Sequence, residues 1–162
     1  MCLAAGIALA VAALAVLDRV FPPPLDRLEH TAVQVLAEDG SVLTAFTDDS
    51  GAWRLPATVD DVEPLYLRML VAWEDKRFAH HPGVDALAMA RAAWQWLRSG
   101  HVVSGGSTLT MQAVRLLEPR PRTIGAKLIE CLRALQIEAR LDKRDILSIY
   151  LTLAPFGGNL EG

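Results

Sequence analysis

Cysteine is scarce in this 162-residue sequence: Cys2 and Cys131 are the only two, so no disulfide framework can be drawn and both read as packing residues. The four histidines, His80 and His81 adjacent among them, have no cysteine or carboxylate around them at a metal-ligand spacing, which excludes a zinc site. Two glycines precede Ser107 and Thr108, but the lysine that would make a phosphate-binding P-loop is missing. No internal repeat or low-complexity tract follows the prolines at 22–24.

Charge is missing over the whole of Met1 to Leu17. That apolar run is about 17 residues, or about 25 Å of helix, the short limit for crossing a bilayer core. No basic region precedes it, and Asp18-Arg19-Val20-Phe21 and then Pro22-Pro23-Pro24 follow in place of a small-residue cleavage site. An uncleaved membrane anchor over residues 1–20 therefore fits better than a cleaved signal peptide or a buried core helix. With no Lys or Arg before the run, its orientation is left unassigned.

What charge there is lies unevenly. Residues 18–75 hold 4 basic and 12 acidic side chains, a net of −8, whereas residues 76–144 hold 12 basic and 5 acidic, a net of +7. A basic half on the far side of an anchor suits an anionic partner near a membrane surface, such as a phosphate or lipid headgroup, although solvated helix faces would give the same count.

Residues 21–60 read as a proline linker and a small β element. Thr31–Leu36 and Val42–Phe46 flank Asp39-Gly40, a hairpin signal, and Asp48-Asp49-Ser50-Gly51 makes a second turn before Trp53-Arg54-Leu55-Pro56. From Asp61 the pattern becomes helical. It predicts a first helix capped by Asp60 or Asp61, a second over Val84–Leu97 stopped by Gly100, then Thr108–Leu117, Thr123–Ala139, and a last one from Asp142 to Leu153. The Trp and Met residues recur at helical spacing and are expected in the core.

Three segments carry side chains suited to chemistry. Glu74-Asp75-Lys76-Arg77-Phe78 ends the first helix, and a carboxylate leaving an apolar helix beside Trp73 meets the partial desolvation that suits a general base. Gly105-Gly106-Ser107-Thr108 enters a helix that Ser107 can cap, so close backbone approach and free N–H groups there offer a pyrophosphate seat. Lys127 and Glu130, three apart, share a helix face that Arg122 approaches. Taken singly, each is equally an ordinary surface helix end, loop or weak ion pair.

Their order and spacing resemble the peptidoglycan glycosyltransferase domain of class A bifunctional penicillin-binding proteins. The family's Glu-Asp-x-x-Phe-x-x-His-x-Gly is met by Glu74, Asp75, Phe78, His81 and Gly83, and its Gly-Gly-Ser-Thr-Leu-Thr by Gly105 through Thr110. Lys127-x-x-Glu130 resembles the third motif and Lys143-x-x-Ile146-Leu147-x-x-Tyr150-Leu151 the fourth, so the likeness spans residues 61–162. The spacer, with Gly51-Ala52-Trp53-Arg54-Leu55-Pro56, and the closing Ala154–Gly162 are similar to the 1C subfamily of these proteins. Met111, Ala126 and Thr152 depart from the pattern, standing where many members have Gln, Arg and Asn.

The resemblance implies a mainly α, lysozyme-like helical glycosyltransferase domain preceded by a transmembrane helix and a small β-hairpin element. The family domain runs on past Gly162 and no Ser-x-x-Lys of a transpeptidase occurs, so an incomplete domain in an N-terminal fragment is expected. It implies polymerisation of glycan from lipid II on the outer side of the bacterial inner membrane. Lipid II and a lipid-linked glycan strand would be the partners, with other cell-wall synthesis proteins and without nucleic acid. Glu74 matches the base that deprotonates the acceptor's sugar 4-hydroxyl for inverting attack. A lipid pyrophosphate leaves, needing positive charge rather than a proton. Arg122 and Lys127 would neutralise it, and Ser107 and Gln112 would hydrogen-bond near it. Glu130 would act in catalysis, orienting those groups or helping to hold Mg²⁺ or Mn²⁺. Asp75, Phe78, His81, Thr108 and Lys143 complete the expected substrate-binding set. The rivals are a lytic enzyme, which needs a second, protonated carboxyl, and a non-catalytic membrane module.

Overall fold

The computed structural model describes residues 6, 12, 13, 15, 16, 18–101 and 105–162. Most of the apolar run expected to form a membrane anchor lies outside the described residues. No helix among the described residues is long and apolar enough to cross a membrane.

After a 3₁₀ turn at Asp26–Leu28, β1 (Val33–Leu36) and β2 (Val42–Phe46) pair antiparallel as the Asp39-Gly40 signal predicts. Strand β3 (Trp53–Arg54) leaves that hairpin and pairs in parallel with β5 (Leu160–Glu161), which also pairs with β4 (Pro155–Gly157). Between these strands lie five helices: α1 (Pro64–Glu74), α2 (Ala86–Ser99), α3 (Leu109–Leu117), α4 (Ile124–Glu138) and α5 (Lys143–Leu153).

Local chemistry sets the helix ends. Asp85, Thr108, Thr123 and Asp142 each accept a backbone N–H of the first turn, and Asp142 with Asp145 forms a capping box. Gly100 ends α2 in the left-handed conformation that glycine adopts without strain. Two expected caps move. Helix α1 starts at Pro64, whose fixed φ and missing N–H suit a first helical residue, while Asp61 accepts from Thr58 instead of capping. Thr108 rather than Ser107 caps α3, and Ser107 is thereby left free for a different bond.

The core is built by α3, α4 and α5. Leu109, Met111, Ala113, Val114 and Leu117 meet Ala134 and Ile137 and the inner face of α5, Ile146 to Leu153. Helices α1 and α2 contribute no fully buried residue. The expectation that Trp and Met fill the core fails there: Met69, Trp94 and Trp96 are exposed, Trp73 is 87% exposed, and Met111 alone of the described Trp and Met residues is buried. Helical spacing reveals an apolar face but says nothing of what covers it.

Candidate active site

The helix break at Asp75, with φ −157°, turns two adjacent carboxylates to different sides. Asp75 goes inward: His81 Nε2 lies 3.0 Å from both its oxygens, and the Leu109 N–H donates to Oδ2 at 3.0 Å. Glu74 stays half-buried on the wall of a cleft of about 470 Å³, bonded among the described residues only by the neutral amide of Gln112, Nε2 to Oε2, at 3.0 Å. Trp73 stands in the same cleft but is too exposed to desolvate its neighbour as the sequence suggests.

The loop behind Glu74 is pinned from three directions. Thr108 Oγ1 donates to the Gly83 carbonyl at 2.5 Å, and Lys143 Nζ donates to the His81 carbonyl at 2.7 Å while standing 4.6 Å over the Phe78 ring. Lys143 also donates to Glu138 Oε1 at 2.6 Å, an oxygen shared with the Thr110 hydroxyl. Gly83 has φ +88°, and a Cβ there would sit 2.7 Å from the Ala134 carbonyl oxygen, so only glycine fits. Asp75, Phe78, His81, Thr108 and Lys143 are thus gathered around one loop, each held by protein partners.

A second cluster borders the cleft. Glu130 is 3% exposed; Arg115 forks onto it, Nε to Oε1 at 2.8 Å and Nη2 to Oε2 at 3.2 Å, and Lys127 Nζ reaches Oε2 at 3.0 Å. Burial pushes the Glu130 carboxyl up, but the hydrogen bonds and charges of Arg115 and Lys127 outweigh it and hold the group below the usual range. Lys127 Nζ also donates to Ser107 Oγ at 2.6 Å, and Ser107 lines the cleft, so the ammonium stands one hydroxyl away from it. Arg122 is not brought in: it is exposed and has no hydrogen-bond or ion-pair partner among the described residues.

Glu130, expected to help hold Mg²⁺ or Mn²⁺, is engaged by basic side chains. Both Glu130 oxygens already face cations, and no three His, Cys, Asp or Glu side chains cluster as ligands among the described residues. Four basic residues were not among the expected site residues. Arg77 and Arg91 line the cleft with Lys76, and Arg115 holds Glu130. The available signal for Arg115 was its place one turn after Gln112 on α3. The departures from the motif pattern are structural: Met111 is core, Ala126 is buried, and the Thr152 hydroxyl bridges the Ala57 N–H and carbonyl.

Fold and motif order define the class, a mainly helical transglycosylase-type domain whose motifs converge on one cleft. The chain belongs to the Transglycosylase family, whose family model matches residues 39–162. It is 52% identical over 145 residues to penicillin-binding protein 1C of Escherichia coli (strain K12), covering 90% of this chain and 19% of that protein. It is 35% identical over 145 residues to penicillin-binding protein 1A of Pseudomonas aeruginosa, covering 86% and 17% respectively. With a biosynthetic peptidoglycan transglycosylase of Chromobacterium violaceum it shares 38% identity over 104 residues, 64% of this chain and 46% of that one. The chain thus spans about a fifth of the length of the penicillin-binding proteins it matches.

Proposed function

We propose that this chain carries the glycan-polymerising site of a cell-wall synthase. Glu74 removes the proton of an acceptor sugar hydroxyl, and that oxygen bonds to the anomeric carbon of a lipid II donor. The bond from that carbon to the pyrophosphate oxygen breaks with inversion, and the pyrophosphate leaves with its lipid. Lys127 and Ser107, with Arg115 behind them and Lys76, Arg77 and Arg91 along the cleft, supply the positive charge the departing group needs.

One observation carries the reading: of the cleft's three carboxylates, Glu74 alone has no cation or backbone N–H on it among the described residues. Asp75 is taken by His81 and the Leu109 N–H. Asp85 is held below the usual range by the Ala88 N–H and, against the pull of burial, by Arg77. Glu130, behind Ser107, is held ionised as well. The site therefore offers one proton acceptor while its other carboxylates are engaged by donors, which favours transfer from a pyrophosphate over lytic cleavage by a second carboxyl.

Exposed apolar stripes support work at a bilayer. Leu65, Met69 and Trp73 on α1 and Ile124, Leu128 and Leu132 on α4 recur every fourth residue. With the apolar run at 1–17 as a single anchor, the domain would lie on the outer face of the inner membrane, beside lipid II, the lipid-linked strand and other wall-synthesis proteins. Labelled lipid II given to the full-length protein and to its Glu74→Gln variant tests the reading. Glycan from the first and none from the second is expected. A fully active variant refutes the base assignment, and soluble muropeptides released from sacculi without lipid II would replace the reading with lysis.

A further inference from the structure

The segment that follows the apolar run is fastened to the domain at two separate places. The first is on α4. Arg140 reaches Asp18 through Nη2 to Oδ2 at 2.7 Å and Nε to Oδ2 at 3.1 Å, and also donates to the Asp18 carbonyl at 3.2 Å. Arg133 Nη1 donates to the carbonyls of Phe21 at 2.5 Å and Pro22 at 3.1 Å, and Gln136 Nε2 donates to Phe21 at 3.1 Å. Gln136 is 3% exposed, so without this segment its amide would lose an acceptor inside the protein. The prolines at 22–24 have no N–H to compete for these carbonyls and keep the chain extended, while Pro23 is itself buried.

The second fastening lies across the domain's far strands. Arg54, 3% exposed, bonds Glu161 Oε2 at 2.6 Å, Asp48 Oδ2 at 2.9 Å and the His30 carbonyl at 2.5 Å. Arg27 meets the other oxygen of Glu161 at 3.1 Å and donates to the Leu116 carbonyl at 2.8 Å, at the end of α3. Between the two fastenings Leu25 and Leu28 pack on the core. A flexible spacer would show none of these pairings.

We infer that residues 18–54 form a rigid mount rather than a tether, which fixes the height and tilt of the cleft over the bilayer in which residues 1–17 sit. This rests on the polymerase reading and on the anchor. Arg133, Gln136, Arg140, Arg54 and Glu161 are then positioning residues, acting on the cleft through the mount. Arg140 and Asp18 are both partly exposed at the surface, so exchanging them leaves the core intact.

The natural full-length protein is compared with Arg140→Glu and with the exchange Asp18→Arg/Arg140→Glu, polymerising lipid II in liposomes and in detergent micelles. A mount matters only where substrate depth is fixed. Arg140→Glu should lose at least about fivefold in liposomes, stay within about twofold in detergent, and recover in the exchange variant. Equal activity in liposomes, or an equal loss in both media, overturns the mount. If the wild type makes no glycan in either medium, the polymerase reading fails instead. The mount is then judged by a nitroxide at Arg19→Cys in liposomes. Immobilised in the wild type and freed by Arg140→Glu supports it; unchanged mobility overturns it.

Discussion

Glu74 and Asp75 are neighbours in the chain and carry the same chemistry, yet their amide variants should fail in opposite ways. Asp75→Asn keeps one oxygen for the Leu109 N–H at 3.0 Å but turns an NH₂ toward His81 Nε2 at 3.0 Å, so the imidazole proton either faces that NH₂ or moves to the buried Nδ1, which has no partner among the described residues. One buried donor is left without an acceptor, costing about 1–3 kcal/mol, and the bond that survives loses its charge, about 1 kcal/mol more. For a chain of 162 residues a total of about 2–4 kcal/mol lowers Tm by roughly 5–15 °C. Glu74→Gln keeps its shape and can still bond Gln112 from the cleft wall, so its stability should stay within about 0.5 kcal/mol of wild type. Its rate of glycan formation should fall by about 10²–10⁴ through loss of the proton acceptor. Thermal melts by circular dichroism and a lipid II polymerisation assay on the same preparations read both quantities. A Tm for Asp75→Asn within about 2 °C of wild type would refute the division of the pair into a buried strut and a cleft base. So would a larger stability loss for Glu74→Gln than for Asp75→Asn.

Other consequences can be measured alongside. The Glu130 carboxyl is held low in the folded chain, so the stability it adds is complete above its unfolded value of about 4.3 and is lost as pH falls through the folded value. The Tm gap between wild type and Glu130→Gln should therefore be flat above about pH 5 and close toward pH 3. Lys127→Met should weaken inhibition by inorganic pyrophosphate by about tenfold, a loss near 1.4 kcal/mol, while moving Tm little, because Arg115 still covers Glu130. Gly83→Ala meets the Ala134 carbonyl and a left-handed φ, and should cost about 2–4 kcal/mol by urea unfolding. Trp73→Ser should lower binding to lipid vesicles without lowering Tm, since that ring is 87% exposed.

Helix existence and most helix ends were legible because their causes are local. Thr123, Asp142 and Gly100 act on residues within one turn, and the structure places α3, α4 and α5 within a residue or two of their expected limits. The hairpin was legible for the same reason, from Asp39-Gly40 between two β-rich runs. What failed to show is what depends on distance along the chain. Arg54 and Glu161 are 107 residues apart, and nothing near either announces the other. Arg115 reads as one more surface arginine until α4 brings Glu130 beneath it. Trp73 and Trp94 mark apolar faces, but their exposure is decided by neighbours the local pattern does not contain. Arg122 was named for its proximity to Lys127 in sequence, yet it precedes the Thr123 cap and stays in solvent.

The parallel pairing of β3 with β5 has a consequence for biogenesis. Trp53 and Arg54 emerge from the ribosome long before Leu160 and Glu161 exist, and at about 5–20 residues per second the wait is on the order of ten seconds. Through that interval β3 has no strand to pair with and Arg54 lacks Glu161, while α1 to α5 are made in turn. The pairing of β3 with β5 therefore closes only after the five helices between them have been made. A nascent chain stalled before residue 160 would present its β edge and its arginine to whatever chaperone or membrane surface stands beside it.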